Sequence, residues 1–228
     1  MNDTVSNNLQ KVRKRIELAS TAAGRASDAV KLLAVSKTMS AQAVREAHAA
    51  GQLAFGENYI QEGVDKIASL ADLPLEWHCI GPIQSNKSKL VAENFAWVHS
   101  IDRLKIAERL SAQRPLHLPP LQVCLQVNVD GGNNKSGVAP QELLALAQAV
   151  AKLPHLQLRG LMTIPEPAAN ELAARTVHRQ AKELFDSLNA AGLKLDTLSM
   201  GMTADLEAAI AEGSTCVRVG TAIFGVRL

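Results

Sequence analysis

The stretch Leu32-Leu33-Ala34-Val35-Ser36-Lys37-Thr38 is a short apolar run that ends abruptly in a lysine. A run of this length and composition is typical of a strand that is buried on both faces. Because side chains alternate between the two faces of a strand, Leu33, Val35 and Lys37 are expected to point to the same side. The stretch therefore predicts a first strand that ends at Lys37, with the lysine continuing an interior-facing row.

The position of Lys37 allows two interpretations. Burial disfavours the charged form of an amine, and an uncharged amine can attack a carbonyl carbon to form a Schiff base. A lysine at the end of a strand can instead extend to solvent or pair with a carboxylate. The seven residues alone leave both interpretations open.

The rest of the chain alternates strands with helices. An amphipathic helix at about residues 4–23, closed by Gly24, comes first. Strands are then predicted at 32–37, 53–56, 75–80, 97–99, 121–129, 156–162, 196–199 and 214–220, and a helix follows each of them except the last. This order predicts an α/β fold with one domain over residues 1–228, a parallel (β/α)8 TIM barrel with an extra N-terminal helix.

A doubly wound open sheet is the alternative fold. The first strand is not followed by a G-x-G-x-x-G sequence, and the count of about eight strands favours the barrel. The length of 228 residues also suits a single barrel of this kind.

Composition narrows the possible functions. The chain has 24 Lys and Arg against 22 Asp and Glu, without a long run of one sign, so neither a nucleic acid nor an anionic membrane is an expected partner. The polar opening and the lack of a long apolar stretch predict a cytoplasmic protein that acts on a small molecule. Cys79, Cys124 and Cys216 are expected to be reduced, buried thiols, and no metal site is predicted.

In a TIM barrel the functional site lies where the strands give way to their loops at the carboxyl-terminal end. Lys37 ends the first predicted strand, Asn58 follows the second and His78 lies just inside the end of the third. Residues 199–202 follow the seventh strand, and residues 218–221 lie at the end of the eighth. The sequence therefore predicts a polar site at this end of the barrel.

The loops after the seventh and eighth strands are the places where such barrels often hold a phosphate. Ser199 and Thr221 carry hydroxyl donors, while Gly201 and Gly220 allow the backbone to approach a ligand. A helix expected to begin near Thr203 would direct its free N–H groups at the same place. Ordinary turn chemistry is the alternative explanation for either loop.

Arg218 lies within an apolar strand, where its permanent charge requires a partner. It could pair with a carboxylate such as Glu207, or it could donate to a ligand. An amine that attacks carbonyls, a phosphate site and an interior arginine together fit an aldehyde that carries a phosphate. Pyridoxal 5′-phosphate (PLP) is such a molecule.

Several segments closely resemble the pyridoxal phosphate homeostasis protein family, and the resemblance covers nearly the whole chain. These segments are Ala34–Thr38, Phe55–Tyr59, Trp77–Lys87, Gly160–Pro165, Ser199–Met202 and Gly213–Gly225. The resemblance implies a fold type III barrel like the amino-terminal domain of alanine racemase. It also implies a protein that carries PLP for intracellular vitamin B6 homeostasis, without robust turnover and with transient contacts to apoenzymes that use PLP.

The resemblance also implies roles for individual residues. Lys37 would form the covalent aldimine with PLP, and Arg218 would face the pyridine nitrogen. The phosphate would be held by Ser199, Gly201, Gly220 and Thr221, and the ring would be lined by Asn58, His78 and Met202. No catalytic residue is assigned.

Two enzymatic alternatives remain beside the carrier. One is a single-domain PLP-dependent amino-acid racemase, although alanine racemases take their second acid–base group from a tyrosine of a separate domain, and the one tyrosine here is Tyr59. The chain stops soon after its last strand, which favours a monomer. The other is a Schiff-base aldolase acting on a sugar phosphate. Lys87, Lys89 and Lys135 could supply a second amine for PLP or could be ordinary solvated lysines.

Overall fold

The computed structural model describes residues 4–131 and 136–225. Eight parallel strands close into a barrel in chain order, with β1 also paired to β8. The strands are β1 (Lys31–Val35), β2 (Ala54–Glu57), β3 (Glu76–Cys79), β4 (Trp97–Ile101), β5 (Leu121–Gln126), β6 (Leu156–Met162), β7 (Thr197–Ser199) and β8 (Cys216–Val219). The predicted barrel is confirmed, and closure of the sheet rules out the open doubly wound alternative.

The helices form the outer layer of the barrel. They are α1 (Val5–Ala22), α2 (Ala41–Ala49), α3 (Ile60–Ser69), α4 (Ser88–Asn94), α5 (Leu104–Gln113), α6 (Leu143–Val150), α7 (Glu171–Ala190), α8 (Leu206–Ala211) and α9 (Thr221–Phe224). Short 3-10 turns at Ser85–Lys87 and Pro140–Glu142 precede α4 and α6. Among the described residues, no helix combines the length and the apolar character needed to cross a lipid bilayer.

The extra N-terminal helix is confirmed as α1. The Thr4 side chain accepts a hydrogen bond from the Asn7 N–H and begins the helix, as N-cap residues do. Leu9, Val12 and Ile16 recur at helical spacing and are buried, so one face of α1 packs on the barrel, against α8 and α9.

The alternation predicted for the first strand is confirmed. Leu33 and Val35 pack inside the barrel with Ala54, Ile80 and Cys216. Ala34 belongs instead to the large apolar layer between the strands and the helices. The two faces of β1 therefore contact different cores, and residues in register with Leu33 on neighbouring strands also point inward.

The ends of several strands differ from the prediction. β1 ends at Val35 rather than Lys37, because the chain turns at Thr38, whose φ is +65°. Lys37 therefore lies on the loop directly after the strand. β5 ends at Gln126 and β8 at Val219, so their apolar patterns continue into loops that are still partly buried.

All three cysteines are free and buried, as expected from their apolar surroundings. Burial raises the pKa of the Cys79 thiol to about 12 and that of the Cys124 thiol further. These thiols remain protonated at neutral pH and act as small apolar side chains.

Candidate functional site

A cavity of about 440 Å³ lies at the carboxyl-terminal end of the barrel, and we call it the upper cavity. Six of the residues predicted for the site line this cavity. They are Lys37, Asn58, Met202, Arg218, Gly220 and Thr221. Residues at the ends of four different strands, β1, β2, β7 and β8, are thus brought to one place, because parallel strands end at the same rim of a closed barrel.

Three predicted site residues do not line the upper cavity. Ser199 is fully buried, and its side chain contacts Arg218. Gly201 has a φ of +93°, and its carbonyl oxygen accepts a hydrogen bond from the backbone N–H of Arg218 at 3.0 Å. His78 lies deeper and lines a separate cavity of about 280 Å³ at the amino-terminal end of the barrel, which we call the lower cavity.

The three additional lysines have different surroundings. Lys87 and Lys89 lie around the start of α4 and do not line the upper cavity. Lys89 is an exposed residue whose Nζ lies 3.7 Å from an oxygen of Glu93. Lys135 lies outside the described residues.

The backbone on both sides of Lys37 is held by one network of charged side chains, Glu57, Glu62 and Lys66. The Lys66 Nζ donates to the Ser36 carbonyl oxygen at 2.8 Å and to the Glu57 Oε1 at 2.6 Å. The Ser36 hydroxyl donates to the same Glu57 oxygen at 2.6 Å. On the other side, Glu62 accepts the Thr38 N–H, which supports the left-handed conformation that a β-branched residue rarely adopts. This network fixes the loop that presents Lys37.

Two charges in this network are almost completely buried, since the side chains of Lys66 and Glu57 are only 5% and 0% exposed, whereas that of Glu62 is 32% exposed. Burial raises the pKa of Glu57 above its ordinary value, although hydrogen bonds from Lys66 and Ser36 act in the opposite direction. Each charge depends on its partner, because an uncompensated buried ion is very costly.

We therefore expect Lys66→Met to lower the free energy of unfolding by about 3–5 kcal/mol, since it leaves Glu57 buried without its cation. Urea unfolding measures the loss. The control is Lys14→Met, which removes a lysine from an exposed ion pair with Glu17 and should cost less than about 1 kcal/mol. Equal losses in the two variants would contradict this account of the network.

Arg218 is the buried cation of the upper cavity and is 4% exposed. Its Nη1 donates to the carbonyl oxygen and the hydroxyl of Ser199 at 2.7 and 2.8 Å, and its Nη2 donates to the Thr163 carbonyl oxygen at 2.7 Å. None of these partners carries a negative charge. Among residues 4–131 and 136–225, no carboxylate lies within ion-pair distance of Arg218.

The suggested pairing of Arg218 with Glu207 is wrong. Glu207 lies on α8 and forms an ion pair with Arg15 of α1, at 2.7 Å. Arg218 points into the barrel, whereas α8 packs on the outside, so the two side chains lie on opposite sides of the sheet. The guanidinium charge consequently remains available to an anionic or electron-rich ligand in the upper cavity.

The loop after β8 forms a second wall of the upper cavity. Gly220 precedes α9, and a Cβ at this position would lie only 3.1 Å from the Val35 carbonyl oxygen. Thr221 is the first residue of α9, where backbone N–H groups have no partner within the helix. The turn therefore offers backbone and hydroxyl donors to a ligand.

The loop after β7 differs from the prediction. The helix expected to begin near Thr203 begins at Leu206, and the Asp205 carboxylate accepts the Met202 N–H at 2.7 Å. Asp205 itself is held by the His178 Nε2 at 3.0 Å. The Met202 N–H is therefore occupied, and Met202 contributes its side chain to the upper cavity instead.

Asn58 supplies a polar atom that has no partner among the described residues. Its Oδ1 is buried and accepts no hydrogen bond from the protein. The backbone of Asn58 is packed tightly against Gly81, where a Cβ would lie 2.1 Å from the Asn58 carbonyl oxygen. Because buried polar atoms are normally satisfied, this oxygen is suited to a ligand that donates a hydrogen bond.

His78 belongs to a polar cluster inside the barrel. Its Nε2 lies 2.8 Å from the Glu76 Oε1, and its Nδ1 lies 2.9 Å from the His99 Nε2. Burial lowers the pKa of His78 to about 4, while the hydrogen bond from His78 lowers the pKa of Glu76 to about 2. His78 is therefore neutral at pH 7 and Glu76 is negatively charged.

We expect the free energy of unfolding to fall as the pH is lowered from 6.5 towards 4. The ordinary pKa of histidine is 6.5, and the folded value for His78 is about 4, so the unfolded chain binds more protons in this interval. Protonation thus favours unfolding, by on the order of 3 kcal/mol for one fully buried group. His99 acts in the same direction, since burial lowers its pKa as well.

Urea unfolding between pH 7 and pH 5 measures this dependence. His78→Gln should give a shallower decrease than the parent protein, while His117→Gln, which changes an exposed histidine, should leave the decrease unchanged. A parent protein with constant stability over this range would contradict the burial argument.

Two known proteins match the chain over nearly its whole length. The chain is 62% identical over 224 residues to the pyridoxal phosphate homeostasis protein of Pseudomonas aeruginosa. The aligned region covers 98% of this chain and 96% of that protein. It is 55% identical over 230 residues to the pyridoxal phosphate homeostasis protein of Escherichia coli K12. That aligned region covers 100% of this chain and 98% of that protein. The chain belongs to the pyridoxal phosphate homeostasis protein family. This confirms the resemblance inferred from the sequence.

Wider comparisons agree with membership of the pyridoxal phosphate homeostasis family. The family model described as the N-terminal domain of alanine racemase matches residues 7–228. The structure of PipY from Synechococcus elongatus, described as having PLP bound, matches with a TM-score of 0.85 and 38% identity over 97% of this chain and 100% of that one. An alanine racemase from Clostridium difficile matches with a TM-score of 0.78 at 16% identity, over 99% of this chain and 57% of that one, which shows a shared fold.

The sequence did not indicate the roles of three buried or partly buried residues of this family member, Glu62, Lys66 and His99. Lys66 and Glu62 are separated by one helical turn, a spacing that could have indicated an ion pair but not that it reaches the loop of Lys37. His99 shows no metal-ligand spacing, and only the closed barrel brings it next to His78 and Ser199.

Proposed function

We propose that this chain binds PLP covalently through the Lys37 amine and holds it as a carrier in intracellular PLP homeostasis. The observation that carries the proposal is that a lysine, a buried arginine with no carboxylate partner among the described residues and a glycine–threonine turn line one cavity of about 440 Å³. The names of the relatives and the PLP-bound structure of PipY support it.

The residues of the upper cavity fit the chemical groups of PLP. When bound, PLP supplies an electrophilic carbonyl and a ring that can accept electrons. Lys37 offers the amine, and Gly220 and Thr221 offer donors for the phosphate. Asn58, whose Oδ1 has no partner among the described residues, and Met202 line the same cavity and are proposed to contact the ring. The volume is also within the usual range for pockets that hold small molecules.

Arg218 is proposed to face the pyridine nitrogen. A guanidinium stays protonated at every accessible pH, so it can donate a hydrogen bond to this nitrogen but does not transfer a proton to it. The ring nitrogen consequently remains unprotonated, which weakens the ring as an acceptor of electrons compared with a carboxylate partner. Ser199 and Gly201 act through Arg218, and we propose no direct contact between His78 and PLP.

We further propose that the protein has no robust catalytic turnover. Racemisation needs an acid–base group on each face of the substrate, and the one tyrosine of the sequence, Tyr59, is 55% exposed and lies outside the upper cavity. Incubation of the PLP-loaded protein with single-enantiomer amino acids tests this point. Steady racemisation with many turnovers per molecule would favour the racemase alternative.

The experiment that tests the binding proposal is reduction with borohydride followed by peptide mapping. Purified protein is saturated with PLP, reduced and digested, and the pyridoxyl label is located by mass spectrometry. We expect one main label on the peptide that carries Lys37. A label confined to the peptides of Lys87, Lys89 or Lys135 would contradict the proposal.

Other expectations remain predictions of the sequence. These are the single-domain organisation over residues 1–228, the cytoplasmic location, the monomeric state and the transient contacts with apoenzymes that use PLP. A secondary role of Lys87, Lys89 or Lys135 in transfer also stays a prediction. Mixing the PLP-loaded protein with an apoenzyme, directly or across a dialysis membrane, would show whether transfer needs contact.

A further inference from the structure

A continuous row of hydrogen-bonded side chains crosses the interior of the barrel. It begins at Arg218 in the upper cavity and passes through Ser199, His99 and His78 to Glu76 beside the lower cavity. The successive distances are 2.8 Å from Arg218 Nη1 to Ser199 Oγ, 2.9 Å to His99 Nδ1, 2.9 Å between the two imidazoles and 2.8 Å from His78 Nε2 to Glu76 Oε1. We call this row the interior chain.

The two charged ends determine the direction of every hydrogen bond. Glu76 is a carboxylate and can only accept, so the His78 Nε2 carries a proton and the Nδ1 of neutral His78 accepts. The His99 Nε2 must then donate to His78, and the His99 Nδ1 accepts from the Ser199 hydroxyl. The guanidinium can only donate, which fits the remaining acceptor position on Ser199.

The interior chain is shielded from solvent along its length except at Glu76, whose side chain is 38% exposed. His78, His99 and Ser199 are each at most 1% exposed, and Arg218 is 4% exposed. The ring of His78 also stacks on Trp97, with their centroids 5.3 Å apart and their planes 9° apart. In such surroundings, aligned hydrogen bonds polarise one another along the row.

We propose that Glu76, through His78, His99 and Ser199, is a positioning residue for Arg218. It orients the guanidinium that the upper cavity offers to a ligand, although it lies at the opposite end of the barrel. The interior chain thereby couples the lower cavity to the upper one. Glu76 also forms an ion pair with Lys31, so what the interior chain supplies to Arg218 is a fixed direction of hydrogen bonding rather than a counter-charge of its own. The consequence for PLP rests on the proposed function, whereas the direction of the hydrogen bonds does not.

The first test uses protein without PLP. Long-range ¹H–¹⁵N correlation spectra of the imidazoles distinguish the two neutral tautomers, and variants of single histidines assign the signals. We expect His78 and His99 both to carry the proton on Nε2 at pH 7. A proton on Nδ1 of either ring would overturn the proposal, because the interior chain would then be interrupted.

The second test compares two carboxylates of the lower end of the barrel. Glu76→Gln keeps an acceptor for His78 but removes the charge, which also ends the ion pair of Glu76 with Lys31, and the half-exposed site can accommodate the amide. Asp196→Asn removes a carboxylate that lines the lower cavity together with His78, but Asp196 pairs with Arg159 and is not part of the interior chain.

We expect Glu76→Gln to weaken PLP retention about fivefold, the size expected when a charge-assisted hydrogen bond becomes a neutral one. It should also shift the absorbance maximum of the bound PLP and the ¹⁵N signals of His99 in the PLP-free protein. Asp196→Asn should change retention less than twofold and leave both spectra in place.

Parental retention and spectra in Glu76→Gln would overturn the proposal, as would equal effects of the two variants. If the parent protein took up no PLP, the proposed function would fail instead. The tautomers and the shift of the His99 signals in Glu76→Gln would then decide the interior chain on their own.

Discussion

Lys37→Ala protein is expected to remain colourless after incubation with PLP and exhaustive dialysis, whereas the parent protein should retain a visible absorbance band. The ε-amine of Lys37 is the one amine among the residues that line the described upper cavity. Without it, PLP can be held only by hydrogen bonds and charge, and these contacts exchange freely during dialysis. We expect a complete loss of the label that borohydride fixes to the protein.

The controls for Lys37→Ala are Lys87→Ala and Lys89→Ala, which remove lysines that lie outside the upper cavity. Both variants should retain the absorbance band of the parent. Since Lys37 is half-buried on a loop and its neighbours Ser36 and Thr38 are held by other side chains, Lys37→Ala should still fold, and circular dichroism can verify this. A yellow Lys37→Ala protein after dialysis would show that PLP is attached elsewhere.

Arg218→Met is expected to weaken PLP retention by at least tenfold. Methionine removes the buried positive charge and leaves the carbonyl oxygens of Ser199 and Thr163 without their donor. Hydrogen bonds to charged groups contribute about 1.5–3 kcal/mol each, and 1.4 kcal/mol corresponds to one factor of ten in affinity. Equilibrium dialysis against PLP, with absorbance as the readout, measures the change.

Two further variants separate charge from geometry at this position. Arg218→Lys keeps the charge but loses the planar fork, so it should recover only part of the retention. Arg15→Met removes an arginine from an ion pair on the outside of the barrel and should retain PLP like the parent. Equal retention by Arg218→Met and the parent would remove Arg218 from the site.

The architecture was largely predictable from local pattern. The run from Leu32 to Lys37 and the seven later strand segments are apolar enough to be strands. Some of the helices between them begin at a capping residue and are followed by a glycine, for example α2, with Ser40 and Gly51, and α7, with Asn170 and Gly192. These signals depend on neighbours within about one turn of chain, so they can be read without knowing the fold. Exact ends were less certain, as at β1, because a turn such as that at Thr38 is stabilised by Glu62 from a distant helix.

The principal site residues were also predictable, because a barrel places all strand ends at one rim. Lys37, Asn58, Met202, Arg218, Gly220 and Thr221 each follow or end a strand, so the expectation that they would meet needed only the strand order. His78 was placed differently. It lies one layer below the rim, and a strand position alone does not indicate which layer of a barrel interior a side chain occupies.

The sequence by itself determined the succession of strands and helices, the family and the lysine that we propose to hold PLP, since each depends on residue types in order along the chain. Only the tertiary structure decided what each buried charge contacts. Arg218 contacts Ser199 rather than Glu207, and Lys66 of α3 contacts the Ser36 carbonyl oxygen in the loop after β1. Such contacts arise between side chains that are distant in sequence, and their partners are determined by sheet closure and register, which no local pattern records.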